Sequence, residues 1–167
     1  MAPWMAGLER RFPTPPPEGV DPLTPLKIHL AREIGDWEEV DRLLIEGLAP
    51  INAMLPQSSP GQRAQHLENA ARLYLEADLP QMALRMADEA ITIDPAKRHG
   101  YLSRALALRD LGDGRAQVAF QEVHRHRPLD LEAWLSKEGI FPPRRPAPPR
   151  PVKKVQRHNI PTVLPDR

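Results

Sequence analysis

The chain repeats itself. Leu67, Ala71 and Tyr74 recur as Tyr101, Ala105 and Leu108 at a spacing of 34, and Ala83, Ala87, Ala90 and Pro95 recur as Ala116, Phe120, Val123 and Pro128 at a spacing of 33. Self-similarity at a fixed spacing marks stacked supersecondary units, none of which can bury its own apolar face alone. One residue has gone from the turn inside the unit, E-A-D-L-P-Q at 76–81 against R-D-L-G-D-G at 109–114.

Within each unit the apolar spacing is helical. From Arg63 onward Leu67, Ala70, Ala71, Tyr74 and Leu75 make one face, and Leu79-Pro80 makes a turn. Met82, Ala83, Met86, Ala87, Ala90 and Ile91 make the next face, which Asp94-Pro95 stops. Tyr101, Leu102, Ala105, Leu106 and Leu108 then lead to Gly112, and Ala116, Ala119, Phe120 and Val123 to Pro128. Upstream, Thr24 is the expected N-cap and Pro25 the first residue of a helix carrying Leu26, Leu30 and Ile34 and ending at Gly35-Asp36. Asp36 caps a second helix, from Trp37 to about Leu48, with Trp37, Val40, Leu43, Leu44 and Leu48 on one side. Pro50, Pro56 and Pro60 predict a loop over 50–62, with one short helical turn around Ile51 to Leu55.

Proline sets the limits of the packed region. Seven of the 21 prolines fall in Met1 to Pro25 and eight in Pro142 to Arg167, which predicts an extended arm at each end. Charge divides the same way. Residues before Pro142 carry 16 basic and 21 acidic groups, net −5, and the remainder 7 and 1, net +6. A basic tail on an acidic body reaches for an anionic partner, or folds back on its own body.

The repeated positions resemble the tetratricopeptide signature. Ala71, Tyr74, Ala83, Ala90 and Pro95 match it, as do Tyr101, Ala105, Gly112, Ala116, Phe120 and Pro128, while Arg104 stands where the family usually has Leu. The resemblance implies an all-α fold: a short right-handed α-solenoid of antiparallel helical hairpins. Residues 1–22 would be a Pro-rich arm, 23–50 a degenerate repeat with Gly47 at a small-residue position, 63–95 and 97–128 two full repeats, 130–138 a capping helix, and 139–167 a basic Pro-rich tail. It also implies a groove, lined by the first helix of each pair, that receives a peptide or a partner helix. Its exposed positions would be Gln65, Glu68, Arg72, Leu75 and Glu76, then His99, Leu102, Leu106, Arg109 and Asp110. Glu68 stands where the chaperone-tail clamp of one subclass needs a cation, so that ligand is not expected.

Several chemistries are set aside. The absence of cysteine excludes disulfides and thiolate metal sites. No phosphate-binding glycine loop, zinc-protease motif or nucleophile elbow is present. Glu38-Glu39, Asp88-Glu89 and Asp110 with Asp113 are paired carboxylates expected on exposed surfaces, where nothing would raise a pKa. His124 and His126 are two apart, whereas a helical metal pair needs three or four. The expectation is a non-catalytic protein with no cofactor and no metal, and, without a signal sequence or an apolar run of roughly 18 residues, a cytoplasmic one.

The tail supplies a second docking element: Arg144, Arg145, Pro148, Arg150, Pro151, Lys153, Lys154 and Arg157. Arg145, Pro148 and Pro151 fit R-x-x-P-x-x-P, and a polyproline II segment loses little entropy on binding. The expected partners are proteins, within a larger complex. Nucleic acid held by the seven tail cations is the alternative, which the lack of a stacking aromatic in the tail disfavours. Self-association through an open end of the stack is a third route.

Overall fold

The computed structural model describes residues 21–96, 99–126 and 148–151. All regular structure among them is helical. The elements are α1 (Thr24–Glu33), α2 (Trp37–Met54), a 3-10 turn (Leu55–Gln57), α3 (Pro60–Glu76), α4 (Pro80–Ile93), α5 (Tyr101–Asp110) and α6 (Ala116–His126). The capping helix expected at 130–138, the arm up to residue 20 and most of the tail lie outside the described residues.

Three turns of one design join the helices into pairs. Gly35, Asp78 and Gly112 all have positive φ (76°, 60° and 67°). In each case the following N–H reaches back five residues: Asp36 to the carbonyl of Ala31, Leu79 to Tyr74, and Asp113 to Leu108, each at 2.9 Å. The positive-φ residue itself bonds three back, to Arg32, Leu75 and Arg109 respectively. These two bonds together are the Schellman closure, which satisfies carbonyls that a helix end leaves orphaned. Ala31, Tyr74 and Leu108 are therefore equivalent, and the first hairpin shares the register of the other two.

Packing follows chain order. α1 packs on α2, α3 on α4 and α5 on α6; α2 also packs on α3, and α4 on α5. The first helix of each pair touches the first helix of the next, α1 with α3 and α3 with α5. Small residues permit the approach. A Cβ on Gly47 would lie 2.9 Å from Thr24 Cγ2 and 3.1 Å from Leu73 Cδ1, so glycine lets α2 nest between α1 and α3 without displacing those side chains. Gly47 is equivalent to Ala90 of α4, which is fully buried. One continuous core runs through the pairs, with Ile28, Val40, Leu44, Leu48, Leu67, Leu73, Tyr74, Met86, Leu102 and Leu108 among its largest members.

Four local expectations are corrected. α2 does not stop near Leu48 but runs through Pro50 to Met54. Proline removes one hydrogen bond, but Ile51 and Leu55 beyond it are buried, and that apolar burial offsets the loss. α3 starts at Pro60 rather than Arg63, because Ser59 and Gln62 form a reciprocal capping box. Thr24 is inside α1 and not its cap; the Asp21 carboxylate accepts from the Leu23 N–H instead, at 2.9 Å. The fourth correction concerns the face of α1. Leu26, Leu30 and Ile34 are exposed, Leu30 at 57% and Ile34 at 78%, while Thr24, Pro25, Ile28, Ala31 and Arg32 are buried. α1 ends the row of described helices, so its outward stripe has no neighbouring hairpin to pack on.

Candidate functional site

The face presented by α1, α3 and α5 is the candidate partner surface. Of its ten expected residues, Glu68, Arg72, Leu75, Leu102 and Leu106 are buried, and Gln65, Glu76, His99 and Arg109 are half-buried. Asp110 is exposed as a residue, although its side chain, at 19%, is less open than that of Arg109, at 34%. The expectation of a uniformly exposed face is therefore corrected for half the set. α3 touches α1, α2, α4 and α5, which leaves little of its circumference to solvent.

Polar groups on this face form pairs, two across elements and one within α5. Glu68, only 2% exposed, holds His99 Nδ1 at 2.7 Å, tying α3 to the turn before α5. His29 of α1 sits 3.4 Å from Glu76 of α3. Arg109 pairs with Asp110 at 3.1 Å. A buried carboxylate needs such a partner, since transfer of an unpaired charge out of water is strongly unfavourable. The face thus carries carboxylates, histidines and arginines already engaged with one another, above buried Leu75, Leu102 and Leu106.

The carboxylate pairs expected to be solvated are each engaged. Glu39 is bonded to Arg42 at 2.6 Å, and that hydrogen bond holds its carboxyl below the usual range. Arg115 holds Asp113 at about 2, chiefly through the side-chain hydrogen bond between them. Asp88 departs from expectation: desolvation pushes its carboxyl up, against the attraction of Arg104 at 3.6 Å. Arg104, the residue off the family pattern, reaches Asp88 on α4 and Glu122 on α6, so it straps two hairpins where leucine would only pack. His126 stacks on Tyr101 with ring centroids 4.0 Å apart. Among the described residues no group of three or more His, Asp or Glu is arranged to hold a metal ion.

A second constellation lies at the other end of the first hairpin, and part of the tail is in it. Arg150 lies over the Trp37 ring, 5.2 Å from its centroid, and pairs with Asp41. Its Nη1 donates to the Ala77 carbonyl at 3.3 Å. Pro148 lies against Gly35. Of the expected tail-docking residues, Pro148, Arg150 and Pro151 are thus described; Arg144, Arg145, Lys153, Lys154 and Arg157 lie outside the described residues. Trp37, Asp41 and Ala77 were not foreseen as a site, and the only hint in the sequence was the opposite charge of tail and body.

No family model, no curated protein and no solved structure matches this chain. Among the described residues, no helix is long and apolar enough to cross a membrane.

Proposed function

We propose that the helical hairpins form a short right-handed α-solenoid of the tetratricopeptide kind, and that the protein is a non-catalytic adaptor that binds a peptide or helix on its α1–α3–α5 face. One observation carries this reading: three hairpins share one turn geometry and one packing order, each first helix against the next first helix. Hairpins stacked in this way present their first helices side by side, and a row of first helices is a natural bed for an extended ligand. Glu76, His99, Arg109 and Asp110 supply partly accessible polar groups, Arg109 the most with 34% of its side chain exposed, and the exposed Leu26, Leu30 and Ile34 on α1 supply an apolar margin for docking within a larger assembly.

The test is a pull-down from native lysate with the full chain and with Glu76→Lys/Asp110→Lys, at two salt concentrations and after nuclease treatment. A discrete protein retained by the wild type through nuclease and high salt, and lost by the double variant, is the expected result. Recovery of nucleic acid alone, falling steeply with salt, would replace this reading with one in which the basic tail carries the affinity.

A further inference from the structure

We propose that the notch formed by Trp37, Asp41 and the Ala77 carbonyl is a recognition site for an arginine set between prolines, and that residues 148–151 of the tail are its resident ligand. The site shares no residue with the set assigned to the α1–α3–α5 face, although Ala77 directly follows Glu76 at the end of α3.

Three different contacts converge on one guanidinium. The Trp37 ring lies under its central carbon, which is 5.2 Å from the ring centroid, Asp41 takes Nη2, and the Ala77 carbonyl takes Nη1. Ala77 is the C-cap of α3, where helix carbonyls carry partial negative charge and have no intrahelical donor. Arg150 buries most of its side chain there, leaving 16% exposed. A lysine ammonium is a compact point charge and cannot lie flat on an indole while bonding two acceptors on different edges, so the notch selects arginine.

The prolines are part of the fit. Gly35 has φ of 76° and no side chain, and the Pro148 ring fills the space: a Cβ on Gly35 would come within 3.1 Å of Pro148 Cγ. A residue that precedes proline is held extended, so Pro149 and Pro151 restrict Pro148 and Arg150 before they dock. A ligand so stiffened loses less freedom on binding. The net −5 of the body against the +6 of the tail favours encounter, and tethering keeps the segment at high local concentration. A partner bearing the same Pro-Pro-Arg-Pro chemistry must displace the tail to occupy the notch.

Fluorescence anisotropy with a labelled peptide, Pro-Ala-Pro-Pro-Arg-Pro-Val-Lys (residues 146–153), tests this against full-length chains. The Arg150→Ala chain, its own ligand disabled, is expected to bind the peptide saturably, and the wild type at least about ten-fold more weakly because the tethered tail competes. A peptide with lysine in place of its arginine should bind the Arg150→Ala chain at least about ten-fold more weakly, reading the notch without altering the protein. Asp41→Asn in the same background should also weaken binding; Asp41 is 52% exposed, and circular dichroism would verify its helices. Failure of the Arg150→Ala chain to bind, equal binding by wild type and Arg150→Ala, or indifference to the arginine-to-lysine change would each overturn the proposal.

Discussion

The first and second hairpins close with the same turn, yet their leading helices are buried in opposite ways. α3 hides Leu67, Ala70, Ala71, Leu73, Tyr74 and Leu75 together with the polar Glu68, Asn69 and Arg72, whereas α1 buries Thr24 and Arg32 and turns three large aliphatics to solvent. The difference lies in position. α3 has a hairpin on each side, while α1 packs on α2 and α3 and has no described hairpin before it. Apolarity alone therefore predicts burial well in the middle of the row and badly at its end.

The largest effect should come from truncating a large side chain in the middle and its counterpart at the end. Leu73→Ala is expected to destabilise by about 2–5 kcal/mol, since it removes buried methyl groups and leaves a cavity. Leu30→Ala on α1 should stay within about 0.5 kcal/mol, as an exposed side chain has little packing to lose. Urea denaturation compares the two directly, and a similar loss for both would mean that the α1 stripe is covered in solution. Two glycines give the next contrast. Gly47→Ala should cost about 1–3 kcal/mol by overpacking against Thr24 and Leu73. Gly112→Ala meets nothing within 4 Å and should cost only the left-handed backbone penalty, about 1–2 kcal/mol. Near-equal values would show that α2 shifts away from α1 easily and that the first hairpin is loosely held.

How much could be read in advance follows the same divide. The core faces of α3 to α6 follow from apolar spacing, because the regularly spaced apolar positions there are buried or partly buried, although Glu68, Asn69, Arg72 and Ser103 are buried with them. On α1 the two criteria separate. Leu26, Leu30 and Ile34 and the set Thr24, Ile28 and Ala31 both have helical spacing, and the more apolar set is the exposed one. The register of the repeat identifies the right set: Thr24, Ile28 and Ala31 stand where Leu67, Ala71 and Tyr74 stand, each seven, three and zero residues before the residue that closes the turn. The passage of α2 through Pro50 is illegible locally because proline favours ending a helix, while the burial of Ile51 and Leu55 that offsets it is a property of tertiary packing. The candidate face could be assigned to the right helices, but the burial of Glu68 and Arg72 arises from four helices meeting around α3, a tertiary property that local spacing does not encode. The Arg150 notch joins residues more than a hundred positions apart, and no local pattern relates them.

A buried polar residue in the middle hairpin offers a stabilising substitution. Asn69 is fully buried, and neither of its amide atoms has a hydrogen-bond partner among the described residues. Replacing it by leucine, which fills similar space without an unmet polar group, should raise stability by about 1 kcal/mol. Asn69→Ala, which also removes the polar group but opens a cavity, should be less stable than Asn69→Leu. A loss of stability in the leucine variant would mean that Asn69 is satisfied in solution and that the middle of the row is wetter than its end.

The smallest effect is one of pH, and it again turns on desolvation of α3. His66 has Nδ1 buried without a partner among the described residues, and burial pushes the imidazole below its ordinary value of 6.5. The unfolded chain takes up a proton near 6.5 while folded His66 stays neutral to lower pH, so between those two values the unfolded state binds more protons. Stability from this group is then complete above 6.5 and falls as pH drops through that window. His66→Gln has no such titration. The stability difference between wild type and His66→Gln, measured by urea denaturation, should be constant above pH 7 and should move against the wild type as pH falls toward 5.5. Every other residue is the same in both chains and cancels in that difference. A difference independent of pH would mean that His66 is hydrated, and that α3 is less enclosed than its neighbours on both sides require.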